Sequence, residues 1–443
     1  MKRVLIITYY WPPSGGSGVQ RWVKFAKYLP KEGWHPVIYT PENPELTTID
    51  KTLAKEIPPE AEIVKKHIFE PYGIYRLLMG KGSSTDLKTL TSAGSDSAEV
   101  NPVNGSAKSW KQKLSLYIRG NFFIPDPRVL WVKPSVKFLK SYLKDHPVDA
   151  IVTTGPPQSM HLIGLGLSEA TGLPWIADFR DPWTKMFYFK HLGLTKKSEE
   201  KHIKLEKKVL EGATRVIAVS PMVRDDFQSM TETRVELITN GFDEEDFNNA
   251  VDLDENFNIT HTGLFASDGN PETLWRVLAD KCYSDKEFRR TLRIRLVGKT
   301  DREIIKSIED SGLGPNLIDL GYQSHEVAVK EQRNASVLIL PLRKEPEYEA
   351  VLPGKLFEYL ASRRPILGIG QTEGAMAKVV RDTGSGVVYD WPDEKRIRSY
   401  IDFCWEEFKN DELRDNTSDI SIYSRRRLTK KLAALLEEIT DRK

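Results

Sequence analysis

The chain opens on a β-branched apolar run, VLIIT (Val4–Thr8), which predicts a buried parallel strand. A Gly/Pro-rich stretch, YYWPPSGGSG, follows and reads as a loop. Apolar positions then recur at Val19, Trp22, Val23, Phe25, Ala26 and Leu29, the spacing of one helix face. HPVIYT (His35–Thr40) is the next strand. Strand, loop, helix and strand in that order make a βαβ start and predict an α/β fold with a doubly wound sheet. Strand runs return at Val148–Thr154, Pro174–Phe179, Thr214–Ser220 and Val235–Thr239, with helical stretches such as SMHLIGLGLSEATG between them. The alternation starts afresh at NFNITHTG and runs through LRIRLVG, NLIDLG and SVLILPL to SGVVYD. Two sets of parallel strands predict two Rossmann-like halves.

The boundary between them is expected at Asn240 to Glu255, where NGFDEEDFNNAVDLDE is acidic and Asn-rich with little apolar content. This divides the chain into an N-terminal domain over 1–245, a C-terminal domain over 246–415 and a terminal helix over 416–443 placed to pack back on the first domain. Residues from about 85 to 108 are rich in Ser, Thr, Asn, Asp and Gly and read as a mobile insertion. No short-period repeat of the solenoid type is present.

Composition narrows the function classes. A chain of 443 residues can bury two full cores. Its formal net charge is +2, with acidic and basic residues mixed throughout, which argues against a nucleic-acid partner. The two cysteines, Cys282 and Cys404, are far apart and lack CxxC spacing, so neither a disulfide framework nor a zinc site is expected and a reducing cytosol fits. The apolar start, Val4 to Ile7, is too short for a signal peptide, and no run is long enough to span a bilayer. The expected location is cytoplasmic, with peripheral contact at the inner face of the membrane as an option.

The segment with most chemical content is PGKLFEYLASRRP (Pro353–Pro365), behind the strand-like SVLILPL. Gly354 and Lys355 fall in a helix's first turn, where free N–H groups and the positive dipole end suit an anion. Glu358 shares a face with Lys355 at i+3 and can accept hydrogen bonds from sugar hydroxyls. An ordinary amphipathic helix, with Leu356, Phe357 and Leu360 inward, is the bland alternative. SGGSG (Ser14–Gly18) lets backbone approach a ligand but is no dinucleotide fingerprint, because Gln20–Arg21 stand where a third glycine should be. DFRDPW (Asp178–Trp183) follows an apolar strand and reads as a cleft sequence or as an Arg180–aspartate ion pair. In TTGPPQSMH (Thr153–His161), Ser159 can cap the next helix, and His161 faces either a cleft or the core. A DxD at Asp252–Asp254 lies in the acidic linker, not at a strand end, and reads as solvated surface with no metal.

Together, YYWPPSGGSGVQR, PPQSMHLIG, PWIADFRDPW, VSP, ITNGFD, HTG, LVG and PGKLFEYLASRRP, in this order, resemble glycosyltransferase family 4 of the GT-B fold. The resemblance spans nearly the whole chain. It implies two facing Rossmann-like domains, with a nucleotide-sugar donor mainly in the C-terminal half and an acceptor mainly in the N-terminal half. It also implies no metal and retention of anomeric configuration. Carried over by position, Glu358 matches the second glutamate of the family's E-x7-E pattern, which holds the donor ribose. Gly15 and Gly16 match the glycine loop at the donor diphosphate, and Arg180 stands where many relatives have a histidine. Ala350 occupies the first glutamate's place, beside Glu349. HTGLFASDGN lacks the usual Arg and Lys, offering Leu264 and Asn270 instead, so Lys355, Lys299 and Arg343 become the candidates for the diphosphate clamp.

The expected catalytic residues are Arg180, Asp181 and Gly16. The expected donor-binding residues are Gly15, Gly16, Lys299, Gly354, Lys355, Leu356 and Glu358. No cofactor is expected beyond the nucleotide diphosphate sugar itself. The expected activity is transfer of a hexose-type sugar to a glycan or lipid-linked acceptor in cell-surface polysaccharide synthesis. The alternatives are a catalytically silent GT-B scaffold that binds a glycan or partner, and another GT-B enzyme such as a nucleotide-sugar epimerase. Trp110–Trp131 mixes Lys111, Lys113 and Arg119 with aromatic residues and reads as a packed amphipathic helix or a membrane-surface segment.

Overall fold

A computed structural model describes residues 1–45, 49–50, 52–69, 117–118, 120–248, 254–413 and 418–441. The chain forms two compact units, Met1–Thr239 with Leu428–Lys443, and Asn240–Arg427. The division therefore falls at 239/240 and 427/428 rather than at 245/246 and 415/416. Phe242 explains part of this difference: it packs among Leu338, Leu356 and Tyr359 of the second core, so NGF already belongs to the second unit.

The first unit runs β1 (Lys2–Ile7), α1 (Ser17–Tyr28), β2 (Trp34–Pro41), β3 (Glu62–Lys66), α2 (Val129–Asp145), β4 (Ala150–Gly155), α3 (Ser159–Thr171), β5 (Trp175–Phe179), α4 (Lys196–Gly212), β6 (Arg215–Ala218), α5 (Pro221–Met230) and β7 (Val235–Leu237). Its seven strands are ordered β3-β2-β1-β4-β5-β6-β7. Every pairing is parallel, with Val4 opposite Pro36 on one side and Ala150 on the other. Central strands covered on both faces read as unbroken apolar runs, and Val4 to Ile7 are fully buried.

The second unit contains β8 (Phe257–Thr262), α6 (Glu272–Ser284), α7 (Lys286–Thr291), β9 (Leu292–Val297), α8 (Arg302–Ile308), β10 (Leu317–Gly321), α9 (His325–Arg333), β11 (Val337–Pro341), α10 (Gly354–Ser362), β12 (Ile366–Ile369), α11 (Ala375–Asp382), β13 (Gly386–Tyr389) and α12 (Glu394–Lys409). Six parallel strands follow the order β10-β9-β8-β11-β12-β13. One core cluster includes Phe257, Trp275, Leu296 and Trp405; another includes Leu340, Leu356, Phe357 and Leu360.

The last helix, α13 (Arg425–Thr440), carries its final turns into the first unit. There Glu437 pairs with Lys2 at 2.5 Å and Glu438 with Arg215 at 2.7 Å. Two strands escape the hydrophobic pattern of the sequence. β3 is an edge strand with alternating exposure, and β12 is only four residues long and contains Gly368. In both sheets strand order reverses once, at β1/β4 and at β8/β11. Open α/β sheets bind ligands outside the carboxyl ends of strands at such points.

Candidate active site

In the second unit, the reversal lies between the loops that follow β8 and β11. Gly263 ends β8 with φ 87° and Gly298 ends β9 with φ 136°, and a Cβ on Gly298 would sit 2.3 Å from the Gly263 carbonyl oxygen. HTG and LVG are thus a backbone-on-backbone contact that leaves no room for a side chain. Beside it, the Lys355 ammonium donates to the Leu264 carbonyl at 3.0 Å and lies 3.0 Å from His261 Nε2. The Lys355 chain as a whole is half-buried, but its ammonium is enclosed by these groups. Burial pushes its pKa down to about 7, against the nearby charge of Glu358. Burial also holds His261 well below its ordinary value, and the Lys355 charge adds to this.

Glu358 stands one turn along α10. Its Oε2 accepts from Gln332 Nε2 at 2.9 Å, and the same amide donates to Thr262 Oγ1 at 3.0 Å. The Thr262 backbone N–H in turn donates to Tyr359 Oη at 2.8 Å. Three elements, β8, α9 and α10, therefore hold the Glu358 carboxylate in place.

Gly354 is the first residue of α10. Leu356 is fully buried in the core, and its N–H donates to Pro353 O at 3.0 Å. Inward packing is what anchors the helix. Lys299 has an exposed side chain, while its carbonyl accepts from Phe265 N at 2.9 Å. Arg343 donates to Asp268 at 2.6 Å, so a carboxylate from the β8 loop already engages the charge considered for the clamp. Asp254 of the DxD accepts from Asn256 N, Asn258 Nδ2 and Asn334 Nδ2, a structural role; Asp252 lies outside the described residues.

In the first unit, Gly16 caps α1 with φ 99° and ψ 165°, a backbone open to glycine. Its Cβ position is empty, and Gly15 beside it is partly exposed. At Gly18, a Cβ would lie 2.3 Å from Arg180 Nη1. Arg180 is 7% exposed; its N–H donates to Gly155 O and its Nη2 to Pro156 O. The structure thus brings the glycine loop and Arg180 together. Asp181, next in sequence, is partly exposed.

Of the two aspartates that flank Arg180, Asp178 pairs with Arg21. Arg21 grips its carboxylate through Nη2 at 2.7 Å and Nε at 3.2 Å, and Trp22 Nε1 and Thr154 Oγ1 also donate to it. Burial opposes ionisation of Asp178, but the Arg21 charge and these hydrogen bonds outweigh it and hold the pKa low. Arg21 also donates to the carbonyls of Ile238 and Thr239, the first two residues of ITNGFD. Ser159 does not cap its own helix. Asp126 accepts from its N–H at 2.8 Å and its hydroxyl at 2.9 Å.

His161 goes to the core. Trp175 Nε1 donates to Thr153 Oγ1, which also hydrogen-bonds His161 Nδ1 at 2.8 Å. Burial pushes this histidine down to about 3. Sequence reasoning missed Gln332, His261 and Arg21 as site residues, because each is joined to its partner by tertiary packing and not by spacing.

Of Trp110–Trp131, residues 110–116 and Arg119 lie outside the described residues, as does the insertion at 85–108. Phe122 is 71% exposed, whereas Trp131 is buried and stacks on Tyr39 at 5.3 Å.

Residues 90–246 match the family model described as Glycosyltransferase Family 4. The chain has the GT-B fold and resembles glycosyltransferase family 4. Sucrose-phosphate synthase from Thermosynechococcus elongatus superposes with a TM-score of 0.59 at 14% identity, covering 100% of this chain and 97% of that one. WaaG, a glycosyltransferase involved in lipopolysaccharide biosynthesis, gives 0.56 at 14% identity over 98% and 99%. A mutant of S. aureus TarM in complex with Fondaparinux, alpha-GlcNAc-glycerol and UDP gives 0.58 at 13% identity over 98% and 100%. No curated protein matches the chain. At such identities the structural likeness speaks for the fold, and the site must carry the chemistry.

Proposed function

We propose that this protein transfers a hexose-type sugar from a nucleotide diphosphate sugar to a glycan or lipid-linked acceptor. The reading assigns it a metal-independent, retaining reaction in cell-surface polysaccharide synthesis. The observation that carries it is the Lys355–Glu358 pair on α10, at the strand-order reversal beside Gly263. A diphosphate leaving group gains negative charge as the glycosidic bond breaks, and an enclosed ammonium at a helix N-terminus is suited to receive it. A carboxylate one turn along is suited to ribose hydroxyls. Arg180, Asp181 and the Gly15–Gly16 loop would serve the reacting sugar from the first unit. Gly354 would add its backbone N–H on the diphosphate side, and Lys299 a long-range charge.

The protein would act in the cytoplasm, with peripheral contact at the inner face of the membrane; the exposed Phe122 supports such contact. Among the described residues, no helix is long and apolar enough to cross a membrane. Purified protein incubated with a panel of nucleotide sugars, with and without EDTA, tests the reading. One donor should be hydrolysed or consumed at an unchanged rate in EDTA, and the released sugar should keep its anomeric configuration. Binding without turnover of any donor would favour the silent scaffold. Activity restored only by manganese or magnesium would overturn the metal-free mechanism.

A further inference from the structure

The first unit contains a pocket of about 50 Å³ lined by Pro156, Pro157, Gln158, Trp183, Tyr188 and Asp126, among others. Most of the polar groups around it are occupied. Asp126 accepts from Ser159 and from the Arg128 N–H, and Trp183 Nε1 donates to His202 Nδ1 at 3.0 Å. Gln158 differs. It is 6% exposed, and neither its amide oxygen nor its amide nitrogen has a hydrogen-bond partner. Such an amide keeps one strong acceptor and two donors away from bulk water, which is costly unless a ligand or water completes them. Its place is set by structure on both sides. As the residue before α3 it is fixed by the helix start, and its Oε1 comes within 2.8 Å of where a Gly155 Cβ would stand. Glycine at 155 is what allows the amide to lie there.

We propose that this pocket takes a hydroxyl-bearing arm of the acceptor sugar, with Gln158 as the specificity-determining contact. The inference rests on the transferase reading and adds the acceptor's chemistry to it. An amide with both donor and acceptor unmet matches a hydroxyl, which also offers both. Apolar surfaces from Trp183, Tyr188 and the prolines suit the C–H groups of such an arm. Asp126 and Arg128 bring one charge of each sign to the lining, so a neutral arm is not opposed. The volume admits an arm such as a hydroxymethyl or acetamido group while the rest of the ring stays outside. A lipid chain would leave the amide unmet.

Saturation-transfer NMR on the full chain tests this, using methyl glycosides of glucose, galactose and N-acetylglucosamine as probes and UDP, GDP and ADP as separate ligands. The unmodified protein should transfer saturation to the arm protons of at least one glycoside. Gln158→Met, similar in shape but without the amide, should weaken that glycoside by roughly tenfold, the loss of paired neutral hydrogen bonds. Gln158→Asn, which keeps the amide but shortens its reach, should fall between. Both variants should bind the preferred nucleoside diphosphate as the unmodified protein does. Nucleotide binding without any glycoside signal would overturn the acceptor pocket and leave the donor reading standing. Glycoside binding unaltered in Gln158→Met would overturn the role of Gln158. Absence of nucleotide binding as well would show that the transferase reading itself had failed.

Discussion

The ammonium of Lys355 lies 3.0 Å from Nε2 of His261, at the end of the strand that opens the second unit. When Lys355 is charged it can only donate, so His261 Nε2 must accept and the imidazole proton sits on Nδ1. Protonating both would put two cations in contact, so the pair holds at most a single charge. His261 stacks on Phe265 at 4.2 Å, which keeps the ring from turning away.

This makes donor affinity depend on pH. Burial lowers Lys355 from 10.5 to about 7, so between these values the unfolded chain holds a proton that the folded one has released. By linkage, this site's contribution to stability rises with pH across that window. A bound diphosphate favours the charged amine, so affinity for a nucleotide sugar should fall as pH rises above about 7. Calorimetry with the preferred nucleotide sugar, whose diphosphate diester does not titrate there, should show proton uptake on binding. Lys355→Met should bind more weakly and with a flat profile.

Glu358→Ala should weaken nucleotide binding by about tenfold or more, from the roughly 1.5–3 kcal/mol attached to hydrogen bonds with a charged group. The fold should survive, because Gln332 keeps its bond to Thr262 Oγ1 at 3.0 Å. A melting temperature close to that of the unmodified protein, together with weaker nucleoside diphosphate binding by titration, is the expected pair of results. Unchanged affinity would remove Glu358 from the donor site.

Asp178→Asn should destabilise the first unit by roughly 3–5 kcal/mol, since it leaves the Arg21 charge buried without its counter-ion. Urea unfolding at neutral pH measures this. The lowered pKa of Asp178 sets the acid behaviour: its contribution is complete above the ordinary 3.8 and is lost as pH falls toward the native value. The variant should therefore lose part of the acid sensitivity of the unmodified protein.

Gly18→Ala separates folding from chemistry in the first unit. Alanine at the start of α1 favours the helix by up to about 1 kcal/mol. Its Cβ would nevertheless occupy a point 2.3 Å from Arg180 Nη1, so the guanidinium must move. Turnover of the sugar donor should fall at least about tenfold with little change in melting temperature. Arg180→Lys should show a similar loss, because an ammonium lacks the fork that reaches Pro156 O. Full activity in both would place Arg180 outside the reaction.

The sequence by itself determined the α/β class, two sets of parallel strands and the helix that presents Lys355 and Glu358. Those features follow from local patterns: buried parallel strands must be apolar throughout, and a helix start shows in Pro-Gly and a following apolar face. Tertiary structure alone decided who pairs with whom. Arg21, and not Arg180, holds Asp178, because helix α1 lays its side chain across the end of β5. Asp126 caps the helix that Ser159 was expected to cap, since the carboxylate arrives from a segment 33 residues earlier. Gln332 came to Glu358 from a neighbouring helix. Periodicity reports the environment of each position along one element. Hydrogen-bond partners are selected by the packing of several elements, and that information exists only once the chain is folded.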